Sequence, residues 1–443
     1  MNRGKLAAVA LLAIAGVARA ETTIIDHVTL IDGTGRPPLK DQAVVIEGDK
    51  FREVLPSTAA SGLAGKRIDG RGKYLIPGLM DIHIHLQGGE AALASFLYAG
   101  FTSVLDVGNK PENTLPLRAK ERAGEILAPH FFATGNMVTY PGSHGTQVAV
   151  NVTSWPEAEP ALLKQLNEQQ PDVLKITYDD EGWGARPLIP ILPLDLLRHI
   201  AEFYNQHGVR TTVHISNESR ALEAIYAGVD SLAHTPVQGP VTDAFVNVAA
   251  SKQIPIASTI TIGDRYSRVH DHADYLDQPL YQATYPAAER ERLKKIAAEG
   301  GETALPTSPP LYRKTWRLWM QTQEPIMLDN MRRIDAAGGV MALGTDMSNG
   351  AESQRELELL AQAGIPNLEI IKIATYNAAR LLGKQEQMGS IERGKLADAV
   401  LLSADPTADI NNCKAIVFVM KAGEMIDESK LPLAGGPQPR RFH

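Results

Sequence analysis

The chain has one cysteine, Cys413, in 443 residues. A lone thiol excludes a disulfide framework and a cysteine-rich zinc site. No long basic run is present, and 44 Lys+Arg against 51 Asp+Glu leave a formal net charge of -7. That balance argues against nucleic acid as a partner. Past the N-terminus no stretch reaches the ~20 apolar residues that a bilayer span requires. No Gly-rich phosphate loop follows the first strand of the central region, which counts against an open dinucleotide-binding sheet. What remains is globular: 44% apolar and 21% charged residues. With cysteine gone as a ligand, the 12 histidines become the place to look for metal chemistry.

Residues 1–20 read as a secretory signal peptide. Arg3 and Lys5 supply the positive start, and Leu6 to Val17 form the apolar stretch. Ala18-Arg19-Ala20 is an A-x-A cleavage pattern. The expectation is an exported chain, periplasmic or secreted, beginning at Glu21 and holding no membrane span after cleavage. One unpaired cysteine suits an oxidising compartment.

Two β-rich ends, residues 21–75 and 389–435, flank a middle of 76–388 that alternates short apolar strands with helices. The ends are expected to pair into one small β-sandwich. Eight strands are placed near 79–85, 101–108, 128–135, 172–179, 210–216, 230–236, 254–260 and 340–346. Eight strand–helix units predict an α/β fold, a (β/α)8 TIM-type barrel. One connection, 262–323, is long and aromatic, with Tyr266, Tyr275, Tyr281, Tyr285 and Trp319 among its residues. It reads as a partly helical lid, with a packing subdomain or a dimer contact as the other readings. A homo-oligomer stays open.

His83-Ile84-His85 is the sharpest local signal. In a strand, residues i and i+2 face one side, so both imidazoles are available to one metal. Lys175, His214, His234 and Asp346 each lie in or end an apolar strand. Such groups are costly to bury unless paired or metal-bound. Polar residues near the C-terminal ends of barrel strands converge on the catalytic face.

With these residues in view, the chain resembles the metal-dependent amidohydrolase superfamily. The resemblance rests on Pro77 to His85, Lys175, His214, His234, Gly344-Thr345-Asp346 and the C-terminal run Gly389 to Asp398. The overall run is most similar to the branch of imidazolonepropionase-related proteins and prolidase-like dipeptidases. The resemblance implies two divalent ions, zinc first among the choices. His83, His85 and Asp346 would hold the more buried ion, and His214 and His234 the more exposed one. Lys175, carboxylated by CO2 to a carbamate, would bridge them. Water activated by the metals would be the nucleophile, with Asp346 as general base. The implied reaction is hydrolysis of amide bonds in small peptides or N-acyl amino acids.

Beyond the metal set, Tyr140 and His144 follow the third strand and are candidates for catalysis or substrate binding. Arg265 and Tyr266 follow the seventh strand and are candidates for holding a substrate carboxylate. Trp183 is a candidate pocket wall. His270 and His272 match no ligand position of the family, and Cys413 reads as a plain core or surface residue. Glu218, four residues after His214, keeps a cyclic-amide hydrolase or deaminase as the alternative. Lactone or ester hydrolysis on the same metals, or a binding protein on an inactive barrel, are the others.

Overall fold

The computed structural model describes residues 21–182, 186–299 and 310–436. The expected signal peptide and Trp183 lie outside the described residues, as does 300–309 of the long connection.

Two parallel sheets form the centre. One holds the first, second and third strands, Leu79–Ile84, Phe101–Asp106 and His130–Ala133. The third strand breaks and resumes as Met137–Thr139, which belongs to the second sheet. There it lies beside Leu174–Thr177, followed by Thr211–His214, Ser231–Leu232, Pro255–Ala257 and Val340–Ala342, the fourth to eighth strands. Every residue of Leu79–Ile84 and of Phe101–Asp106 is buried, as expected of parallel strands covered on both faces. The strands fall inside the windows read from the sequence except the resumed piece Met137–Thr139, which lies past the third window.

The two sheets meet along both edges. Ile82 N–H donates to Leu343 O at 3.0 Å, and Asp346 N–H donates to His83 O at 2.8 Å. At the opposite edge Asp172 N–H donates to Ala133 O at 3.0 Å.

Helices connect the strands, and their apolar faces explain their seats. Leu194–Gln206 buries Leu196, Leu197, Ile200, Ala201 and Tyr204, a spacing of one helical face. Asn217 caps Glu218–Ala227 by accepting from Arg220 N–H. Outside the long connection several helices were not expected, the two longest being Asp243–Lys252 and Gly350–Gln362. The second buries Glu352, Ser353, Gln354 and Glu356, so its inward face does not read as apolar.

The long connection is largely helical where described: Thr261–Asp271, Pro279–Thr284, Ala287–Ala298 and Pro310–Ala336. Arg265 and Tyr266, which follow the seventh strand, stand on the first of these helices. Buried Glu356 accepts from the N–H groups of Ile260 and Thr261 at 3.0 and 2.8 Å, fixing the start of that helix. Buried Arg268 pairs with Glu352 at 2.6 Å and lies 4.1 Å over the Tyr275 ring. This part of the connection is thereby pinned to Gly350–Gln362.

Both chain ends join one eight-stranded sheet, in which Tyr74–Pro77 pairs antiparallel with Ala399–Leu402. Val44, Ile46 and Phe51 share a buried cluster with Leu401 and Met420 from the far side of that sheet. Cys413 is fully buried in a short helix, Ile410–Lys414, and burial pushes its thiol up to about 12. Among the described residues no helix is long and apolar enough to cross a membrane.

Candidate metal centre

The strands bring His83, His85, Lys175, His214, His234 and Asp346 to one place. Five of the six line one cavity of about 180 Å³, and His83 sits behind its floor. His83, His234 and Asp346 each place a ligand atom within 4.8 Å of the others. The His83 and His234 ring centres are 4.5 Å apart, and those of His214 and His234 are 4.6 Å apart.

Backbone and side-chain acceptors set the histidine tautomers. Nδ1 of His83 lies 2.7 Å from Ala233 O, and Nδ1 of His85 lies 2.9 Å from Gly108 O. A carbonyl only accepts, so each Nδ1 carries the proton and each Nε2 keeps its lone pair. Nδ1 of His234 is likewise engaged, by Thr259 Oγ1 at 3.0 Å. His214 is turned the other way, with Nε2 3.3 Å from Asp179 Oδ2. A carboxylate there favours the proton on Nε2 and leaves Nδ1 as the donor.

The electrostatics suit ligands rather than charges. Burial pushes both His83 and His214 down to about 3, so both rings are neutral near pH 7. Burial also holds His234 well below the ordinary imidazole value. Burial alone would raise Asp346, but His83 and His85, whose Nε2 atoms lie 3.5 and 3.1 Å from its Oδ1, hold it well below the carboxylate range. Lys175 is 1% exposed, and burial pulls its amine down to about 7. Its Nζ has no hydrogen-bond partner, and neither does buried His83 Nε2. A metal would take up the lone pair on His83 Nε2, and an added carboxylate would convert the partnerless Lys175 amine into a ligand.

Strain gathers here too. Asp346 has φ +61° and Thr259 has φ +54°, left-handed values that cost free energy, more so for β-branched threonine. Gly344 permits close approach: a Cβ there would stand 2.6 Å from His83 Cβ. Gly344→Ala is expected to push His83 aside and weaken zinc binding by about tenfold. Metal titration of the variant checks this, and wild-type affinity would contradict it.

Of the other sequence candidates, His144 and Tyr266 line the cavity. The His144 ring stacks on His214 at 4.2 Å, and its Nδ1 is 3.2 Å from Glu181 Oε1. Tyr140 packs at the edge of the core and Arg265 lies 3.8 Å from Met347 Sδ, and neither is part of the cavity wall. His270 and His272 also lie off the wall.

Sequence reading missed several members of the site. Buried Asp81, pushed up to about 7 by burial, accepts from Thr345 Oγ1 at 2.8 Å and Ser353 Oγ at 2.7 Å. It ties the first strand to the eighth. Its place two residues before His83 in a strand was the available signal. Asp179, Glu181 and Arg186 sit after the fourth strand, where no periodic pattern marks them.

The chain is similar to known proteins over most of its length. The imidazolonepropionase of Idiomarina loihiensis is 24% identical over 415 residues, covering 87% of this chain and 91% of that protein. The solved structure of a Xaa-Pro dipeptidase with bound methionine in the active site superposes with a TM-score of 0.72 at 21% identity, covering 92% of this chain and 100% of that one. The A. niger ochratoxinase structure also gives 0.72, at 20% identity, over 92% of this chain and 96% of that one. The amidohydrolase family profile matches residues 74–426. The chain belongs to the amidohydrolase family and is a hydrolase acting on carbon–nitrogen bonds.

Proposed function

We propose that this chain is a binuclear metal-dependent hydrolase of amide bonds in small peptides or N-acyl amino acids. Its first 20 residues serve as an export signal. Residues 76–388 form a closed (β/α)8 barrel, with 262–323 acting as a lid, beside a small β-sandwich of 21–75 and 389–435. Backbone bonds at both edges of the parallel sheets support closure, and the cluster joining Phe51 to Met420 supports the sandwich.

The observation that carries the reading is the buried, partnerless Lys175 amine facing four histidines and an aspartate. His83, His85 and Asp346 would hold one ion, zinc being the first choice, and His214 and His234 the other. Lys175 with an amine near 7 is substantially uncharged at neutral pH, as attack on CO2 requires. Its nitrogen would bond to the carbon of CO2 and lose a proton to water, and the resulting carbamate would offer oxygen ligands to the metal site. Divalent ions bound here would supply Lewis acidity and a water acidified towards neutral pH. Asp346 would accept a proton from the attacking water and return it to the departing nitrogen. The apolar walls exclude bulk water and hold the substrate.

A second reading, cyclic-amide hydrolysis, is favoured by the relatives named imidazolonepropionase. A deaminase is not favoured: Glu218 turns away and accepts from Thr242 N–H and Oγ1. The test is a hydrolysis screen on residues 21–443 loaded with zinc and bicarbonate. The panel holds dipeptides including Xaa-Pro, N-acyl amino acids, imidazolonepropionate, lactones and aryl esters, read by mass spectrometry. Cleavage of peptides or N-acyl amino acids is expected. Turnover confined to the cyclic amide, or to lactones and esters, would overturn the substrate assignment.

A further inference from the structure

Arg186 has no role in the reaction above, yet its side chain forms part of the cavity wall. Its Nη1 lies 2.9 Å from Glu181 Oε1, the same oxygen that His144 Nδ1 approaches at 3.2 Å. Glu181 itself is not part of the wall, so the anion stands behind and the cation in front. Glu181 is anchored in turn: its N–H donates to Asp179 Oδ1 at 2.9 Å, and its carbonyl accepts from Gln238 Nε2 at 3.4 Å. Among the described residues that line the cavity, Arg186 is the only arginine, and so the only side chain there that stays cationic at any ordinary pH. Met137, Ile215, Val237, Ile262 and Met320 supply apolar wall.

We propose that Arg186, held in place by Glu181, is the specificity-determining residue, selecting substrates that carry a carboxylate beside an apolar group. This rests on the amide-hydrolase reading and names the residue that gives it its substrate class. A guanidinium presents its N–H donors as a planar fork that matches a carboxylate. In a narrow cavity the pair exchanges less with water than it would on the surface. A neutral amide in the same place accepts fewer and weaker bonds, so the site distinguishes the two.

The test separates recognition from turnover. The ligand pair is N-methanesulfonyl-L-leucine, whose sulfonamide resists cleavage, and its dimethylamide. Binding to the zinc- and bicarbonate-loaded protein is measured by calorimetry. Wild-type protein is expected to prefer the acid by at least about tenfold, as a charge-assisted pair provides. Arg186→Gln is expected to weaken the acid by about 10- to 100-fold and the dimethylamide by little. Arg186→Lys should recover part of the loss, since it keeps the charge and loses the fork. Glu181→Gln leaves the arginine present but loosely held, and should cost the acid several-fold; it keeps the test open if Arg186→Gln does not fold. Equal binding of acid and dimethylamide, no binding of either, or a preference that survives Arg186→Gln would overturn the proposal. Amide hydrolysis without any preference for acids would leave the reaction standing and remove Arg186 from it. Arg186-dependent preference without amide hydrolysis would do the reverse.

Discussion

Asp346→Asn is expected to cut turnover by about 10²- to 10⁴-fold while the fold survives. The backbone tolerates this substitution. Asp346 sits at φ +61°, a left-handed value that asparagine tolerates nearly as well as aspartate. Its N–H still reaches His83 O. What changes is the charge. Asparagine offers one neutral oxygen where a carboxylate faced His83 and His85, so it binds a cation less well and accepts no proton at pH 7. His85 should respond as well. Burial lowers it, and contact with Asp346 more than compensates, leaving it raised. In metal-free Asp346→Asn protein that support is gone, so His85 should titrate at lower pH. Steady-state kinetics and imidazole NMR of the metal-free protein read the two effects. Wild-type turnover in the variant would remove Asp346 from the chemistry.

Lys175→Met is expected to abolish binuclear metal binding and to raise the melting temperature of the metal-free protein. The second effect follows from the sign of the lysine shift. Burial takes the folded-state value to about 7 from 10.5. Below about 7 the folded protein must bury an ammonium, and the full cost is present. The cost shrinks as pH rises and is gone above the unfolded-state value. Methionine has a similar length and no charge to bury. Metal-free Lys175→Met should therefore melt higher by on the order of 5 °C at pH 6 to 7, the gain fading towards pH 10. In the wild-type protein, activity recovered on adding zinc at fixed dissolved CO2 should speed up as pH rises through about 7, where the amine loses its proton. Calorimetric melts, metal analysis and the time course of reactivation give the three readouts. A variant that melts lower and keeps two ions would mark Lys175 as a structural residue.

The parts of the molecule legible in the sequence are those where chemistry and periodicity coincide. The first strand announced itself because His83, within Leu79–Ile84, and His85, just past it, alternate with apolar residues. Lys175, His214 and Asp346 stood out as polar residues in apolar strands. The helix Gly350–Gln362 did not, because its inward face carries Glu352 and Glu356 to partners from distant segments, Arg268 and the start of Thr261–Asp271. Neither partner is visible locally. The break between His130–Ala133 and Met137–Thr139 is a tertiary event of the same kind. Near the site, Arg265 attracted attention as an arginine after a strand, whereas Arg186 reaches the cavity from a non-periodic loop. Which of the two arginines faces inward depends on backbone path, and composition is silent on that.

The hydrogen bond from Asp346 N–H to His83 O joins residues from nearly opposite ends of the central region. Asp346 leaves the ribosome after every other candidate ligand. A partly synthesised chain therefore holds an incomplete site, and so does a fragment that ends before the eighth strand. A metal held by the proposed ligands would therefore be selected after translation, once the first and eighth strands dock. The ions present where that docking occurs would then weigh on the outcome beside the ranking of affinities. Chains of this one sequence, folded in two compartments with different ion pools, are expected to emerge carrying different metals.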